Sequence, residues 1–195
     1  MSEISIVLEK VASALESNSK KFEELDAAAG DGDLGIAVGK IAVGMRSGID
    51  GLTGDLKVDL MLIGREISSA APSTFGTLIA TGFIRASAVV SAHADGLTNA
   101  RKCLSAAFEG IAARGKAELG ERTLLDALHP AVEAFQSEQD VQAGLIAAAL
   151  ASRSGASATA LMSPKHGRAG WIGERAKGFE DAGATVIAVA FESLI

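Results

Sequence analysis

Residues 23–38 read EELDAAAGDGDLGIAV, and two helical patterns meet there. Upstream, Ile4, Leu8, Val11, Leu15, Phe22 and Leu25 recur at helical spacing, which predicts one long first helix with a single buried stripe. Gly30 and Gly32 interrupt it, and a second helix is predicted to begin near Gly35 and to carry Ile36, Val38, Ile41 and Met45. Between the two lie Asp26, Asp31 and Asp33. Carboxylates at i and i+2 around a glycine do not share a helix face, but in a turn both can point inward. Bringing three together costs repulsion unless a cation or protons relieve it. Hard cations take oxygen ligands, so Mg2+ or Ca2+ suits the cluster. An EF-hand loop needs a bidentate Glu at its twelfth position. Counting from Asp26, Asp31 or Asp33 reaches Ala37, Ala42 or Gly44, which excludes it. Mg2+ instead keeps waters and is completed by substrate phosphates, and a helix start just after the bend adds N–H groups for an anion. Spacing alone leaves two readings open: a metal-nucleotide site, or a solvated Asp-Gly turn that caps the second helix.

The rest of the chain is helical in pattern. GIDGLTGD (48–55) reads as a loop; Leu60, Ile63 and Ile67 predict a third helix, and Leu78 through Val90 a fourth. LTNARKCLSAAFEGIAARG predicts a helix with Thr98 as its N-cap and its end at Gly115. TLLDALHPAVEAF (123–135) puts Leu124, Leu128, Val132 and Phe135 on one face, with Pro130 able to kink it. VQAGLIAAALASR follows as another apolar helix. Residues 163–183 form a long polar, glycine-rich loop, a length that compact domains seldom keep without a use for it. ATVIAVAFESLI (184–195) has β-branched residues that suit a strand, but no partner strand is in sight, so it is assigned as helix. One all-helical domain over 1–195 is expected, with long polar loops at some helix ends.

Composition narrows function. The 195 residues are 48% hydrophobic, enough for a sizeable core, and the net charge of -6 with scattered basic residues argues against nucleic-acid binding. Residues 67–84 are uncharged and long enough to span a membrane, but Pro72, Gly76, Gly82 and six hydroxyl side chains favour a buried helix preceded by a polar turn. The single cysteine, Cys103, and an N-terminus without a basic, then apolar, run predict a cytoplasmic protein. Cys103 and His129 read as structural; His93 and His166 show no metal spacing, and Trp171 suits packing as well as base stacking. In HGRAGWIGERAKG (166–178), Arg168, Arg175 and Lys177 lie among glycines, which suits phosphate recognition or an ordinary solvated loop. Thr123 and Asp126 suit a helix start. There is no P-loop and no Rossmann fingerprint.

Taken in order, LDAAAGDGDLG, RGKAELGERTLLDAL and GRAGWIGERAKGFEDAGAT resemble the three signature regions of the L subunit of dihydroxyacetone kinase, the DhaL family. The resemblance implies a barrel of about eight antiparallel helices with a nucleotide, ATP or ADP, held at one end through Mg2+. It places the metal ligands on Asp26, Asp31 and Asp33. Nucleotide contacts fall on Leu34, Gly35, Ile36 and Ala37, on Ala70 and Ala71, on Gly115, on Leu124 beside Thr123, on Arg168, and on Asp181, Ala182 and Gly183. Two positions depart from the family pattern. Leu34 stands where many members carry His. AAPST (70–74) stands where many carry a glycine- and serine-rich turn, leaving Ser73 and Thr74 to replace its contacts. The implied activity is in-line phosphoryl transfer to a short hydroxy-ketone held on a separate K subunit, with Arg168 as an added cation near the phosphates. A DhaM-like protein is the implied phosphodonor if a resident ADP is rephosphorylated. The rival readings are a non-catalytic nucleotide-sensing adaptor and a lipid-handling helical barrel.

Overall fold

The computed structural model describes residues 2–166 and 177–195, and the described residues form helices without strands. They are α1 (Glu3–Ser17), α2 (Ser19–Ala29), α3 (Leu34–Ile49), α4 (Leu56–Ala70), α5 (Thr74–Val89), α6 (Gly96–Gly115), α7 (Leu125–Ser137), α8 (Val141–Ala158) and, after a 3-10 turn at Thr159–Leu161, α9 (Ala182–Glu192). From α3 to α8 each helix packs on the next, which short connections make antiparallel. α9 closes the ring by packing on α7, α8, α1 and α2.

Local chemistry sets the boundaries. The predicted first helix is two. Asn18 separates them, because its side-chain amide donates to the Ala14 carbonyl at 2.8 Å and competes with the helical ladder. α6 begins earlier than predicted, since Asp95 and not Thr98 is its cap; the Asp95 carboxylate takes the Thr98 N–H at 2.8 Å. Asp55, Ser73, Asp140 and Asp181 cap α4, α5, α8 and α9 in the same way. The last apolar run is a helix, as expected, and α7 runs through Pro130.

Two cores fill the ring. Phe22, Val38, Ile41, Ile63 and Ile67 anchor one among α1–α5, and Leu125, Ala131, Phe135 and Ala148 anchor the other among α6–α8; Phe75, Ile79 and α9 touch both. Between them the interior is not filled. An apolar pocket of about 330 Å³, partly open to solvent, remains, lined by residues such as Ile4, Leu15, Phe83, Cys103 and Phe191. Cys103 is half-buried there, and burial raises its thiol pKa. Arg46 joins α3 to α1 through Glu9 at 3.0 Å and Glu16 at 2.5 Å. No helix among the described residues is long and apolar enough to cross a membrane.

Candidate functional site

The antiparallel order gathers one set of helix ends on one rim: the ends of α2, α4, α6 and α8, and the starts of α3, α5, α7 and α9. Every described candidate residue from the sequence lies on or beside these turns.

The acidic cluster occupies the turn from α2 to α3. Asp26 lies in the last turn of α2 and is half-buried, while Asp31 and Asp33 are exposed. One carboxylate oxygen of each lies within 4.8 Å of the others. Gly32 makes the bend at φ +76°, in the region that favours glycine. At Gly30 a side chain would not fit, because a Cβ would lie 2.5 Å from Asp26 Oδ1. Asp33 sits at the N-cap of α3, yet its side chain makes no cap hydrogen bond. Asp26 acts in its place, its Oδ2 accepting the Leu34 N–H at 3.2 Å. The simple capping turn is therefore not what forms. Asp33 leaves its capping duty, and Asp26 is fixed in orientation by the helix it faces.

The residues after the bend divide by face. Leu34, Gly35 and Ala37 are buried, whereas Ile36 is 64% exposed. Leu34 packs its side chain into the core and commits its N–H to Asp26, so it offers a ligand no polar group in place of an imidazole. At the α4–α5 turn, Ala70 is half-buried and Ala71 is 1% exposed. Ser73 accepts the Gly76 N–H at 3.0 Å, so its hydroxyl caps α5 and keeps its proton for another partner; Thr74 is exposed.

Gly115 ends α6, and the loop after it is knotted by a residue that sequence reading took only as a helix-start residue. Asp126, 7% exposed, accepts the Gly120 N–H at 2.6 Å and the Thr123 N–H at 2.8 Å. Leu124 is buried, and Thr123 Oγ1 accepts the Leu125 N–H at 3.2 Å. Glu121 ties this loop to the start of the glycine-rich one. Its carboxylate takes the Glu118 N–H at 2.8 Å and meets Lys165 at 3.4 Å and the His166 ring. The Glu118 N–H first, then His166, hold the Glu121 carboxyl down at about 2.

Asp181 closes the rim. Its carboxylate accepts the Ala184 N–H at 2.8 Å, and its own N–H donates to the buried Thr159 hydroxyl at 2.7 Å. Burial pushes its pKa up to about 6, and the negative charges of Asp126 and Asp26 push the same way. α9 also packs on α2, the helix that carries Asp26, so the acidic cluster and the start of α9 share one end of the molecule. A Cβ built on Gly183 would lie 3.2 Å from the Phe75 ring and 3.5 Å from Leu124 Cβ, so α5, α7 and α9 converge there; Ala182 is buried beside it. Arg168, together with Trp171 and Arg175, lies outside the described residues. His129 packs on Phe108 at 5.2 Å between rings, consistent with a structural role.

The donor set fits a small hard cation. Ligands on one Mg2+ at about 2.1 Å stand roughly 3 to 4 Å apart, a separation that carboxylate oxygens within 4.8 Å of one another reach with small side-chain movements.

Comparison with known proteins points the same way. Residues 28–195 match the DAK2 domain family. The ADP-binding subunit DhaL of PEP-dependent dihydroxyacetone kinase 1 from Listeria innocua is 31% identical over 185 residues, covering 93% of this chain and 88% of that protein. The corresponding subunit from Escherichia coli is also 31% identical, over 90% of this chain and 87% of its own length. The crystal structure of the dihydroxyacetone kinase from C. freundii in complex with AMP-PNP and Mg2+ matches with a TM-score of 0.79 and 26% identity, over 98% of this chain; the chain spans 33% of that kinase's length.

Proposed function

The chain belongs to the DAK2-domain family of dihydroxyacetone kinase L subunits, and from that premise we propose that it holds the Mg-nucleotide in phosphoryl transfer to a short hydroxy-ketone. The acceptor, dihydroxyacetone or a related ketose, is carried on a separate K subunit. The observation that supports this best is Asp33, which sits at a helix cap but leaves the capping to Asp26 and joins a three-carboxylate cluster.

Asp26, Asp31 and Asp33 would hold Mg2+, which when bound neutralises phosphate oxygens. The Gly35 and Ile36 amides in the first turn of α3, which have no side-chain cap from Asp33, would face the phosphate charge. Ala70 and Gly183, both half-buried, would offer small walls for the rest of the nucleotide, backed by the buried Ala71 and Leu124. Positioning and charge stabilisation carry most of the catalysis in such transfers. None of the described rim residues is placed as a general base, which agrees with an acceptor activated on another chain. The nucleotide is ATP, or an ADP rephosphorylated in place by a DhaM-like protein.

Asp31→Asn is expected to weaken Mg-ADP binding by about tenfold or more, since it removes one charged ligand of a hard cation. Titration calorimetry checks this, and unchanged affinity would contradict the proposal. A second reading, a nucleotide sensor without turnover, draws on Leu34, whose buried side chain gives up a polar contact. Phosphate transfer in the presence of a cognate K subunit favours the kinase; nucleotide binding without transfer favours the sensor.

A further inference from the structure

The loop between α6 and α7 carries a residue that the metal and nucleotide positions leave unexplained. Arg122 adopts φ +60°, in the left-handed region, and is only 3% exposed. A non-glycine residue stays in that region only where its surroundings hold it, and a buried guanidinium gives up hydration. Here the hold is visible. The Asp126 carboxylate takes both the Gly120 and the Thr123 N–H, which curls the chain around Arg122 and sends its side chain into the protein. Arg122 Nη2 then donates to the Phe179 carbonyl at 2.9 Å, 57 residues further along the chain.

We propose that Arg122 is a positioning residue for the nucleotide site, a clasp that sets residues 179–183 against Leu124 through the Phe179 carbonyl. This rests on the nucleotide reading above. Each end of the clasp leads to a candidate contact: Leu124 follows Arg122 closely, and Asp181 to Gly183 follow Phe179. The two segments meet where a Cβ on Gly183 would touch Leu124. The start of α9 has other anchors. Arg153 pairs with Glu180 at 3.5 Å, Ser157 donates to Glu180 at 2.8 Å, and Thr159 accepts the Asp181 N–H. Loss of Arg122 therefore leaves α9 docked and frees the spacing between the two walls.

The test compares the full chain with Arg122→Gln and Arg122→Lys by thermal melting and by calorimetry with Mg-ADP. Arg122→Gln, assayed below its melt, is expected to bind about tenfold more weakly, the loss that removing a charged hydrogen bond implies. Arg122→Lys keeps a cationic donor for the Phe179 carbonyl and is expected to stay within about threefold of wild type. A purely architectural arginine would shift the melts and leave the affinity of folded protein alone. Folded Arg122→Gln binding as tightly as wild type therefore overturns the clasp, as does folded Arg122→Lys binding as weakly as Arg122→Gln. If Arg122→Gln does not fold, Arg122→Lys decides: affinity near wild type supports the clasp, and a tenfold loss overturns it. Wild-type protein that takes up no Mg-ADP overturns the functional reading itself, and this inference with it.

Discussion

Asp181 shows what one rim residue costs. Burial pushes its pKa to about 6, above the ordinary aspartate value. A carboxyl that holds its proton more tightly when folded removes stability as pH rises from about 4 through about 6. A displacement of about two units corresponds to roughly 3 kcal/mol lost by pH 7, as an order of magnitude. Asp181→Asn keeps an oxygen for the Ala184 N–H and carries no charge. It is expected to be more stable than wild type at pH 7 by up to that amount and to match it near pH 4, as read by urea titrations at both pH values. Glu121 runs the opposite way. Its folded pKa is depressed, so its contribution is present above the ordinary glutamate value and fades as pH falls towards about 2. At this scale the acidic triad was legible, because three carboxylates around glycines leave few cheap arrangements. Arg122 was not, since nothing in GKAELGER marks an arginine as the residue that takes a left-handed backbone. In the sequence Asp126 is any acid at a helix start; its role lies in the two amides of its own loop that its carboxylate accepts.

The helices were legible as periods but not always as units. The stripe from Ile4 to Leu25 keeps its spacing across Asn18, so hydrophobic pattern alone could not reveal the break between α1 and α2. The break was written instead in one polar side chain that bonds back to Ala14. Thr98 lost the cap of α6 to Asp95 for a similar reason, since the acid accepts both the amide and the hydroxyl of Thr98. The break has a use: it lets α2 turn separately and bring Asp26 to the start of α3. Phe22, 0% exposed, is the anchor of that short helix in the core. Phe22→Ala is expected to cost about 3–5 kcal/mol in denaturant unfolding. Because α2 carries Asp26, the folded variant is also expected to bind Mg-ADP more weakly than wild type, by calorimetry.

Across the whole molecule, the ring order explains how residues from 26 to 183 reach one rim: each antiparallel pair returns the chain to the same end. Amphipathic stripes announce that every helix buries a face, but they do not say whether the faces meet at a filled centre. Here they do not, and an apolar space of about 330 Å³ stays open between the two cores. Loose packing of this kind adds volume to the folded state that unfolding removes, even where one side of the space meets solvent. The chain should therefore yield to hydrostatic pressure sooner than a solid bundle of equal length, as high-pressure NMR would register. Compressed xenon, which settles in dry apolar hollows, should shift that pressure midpoint upward.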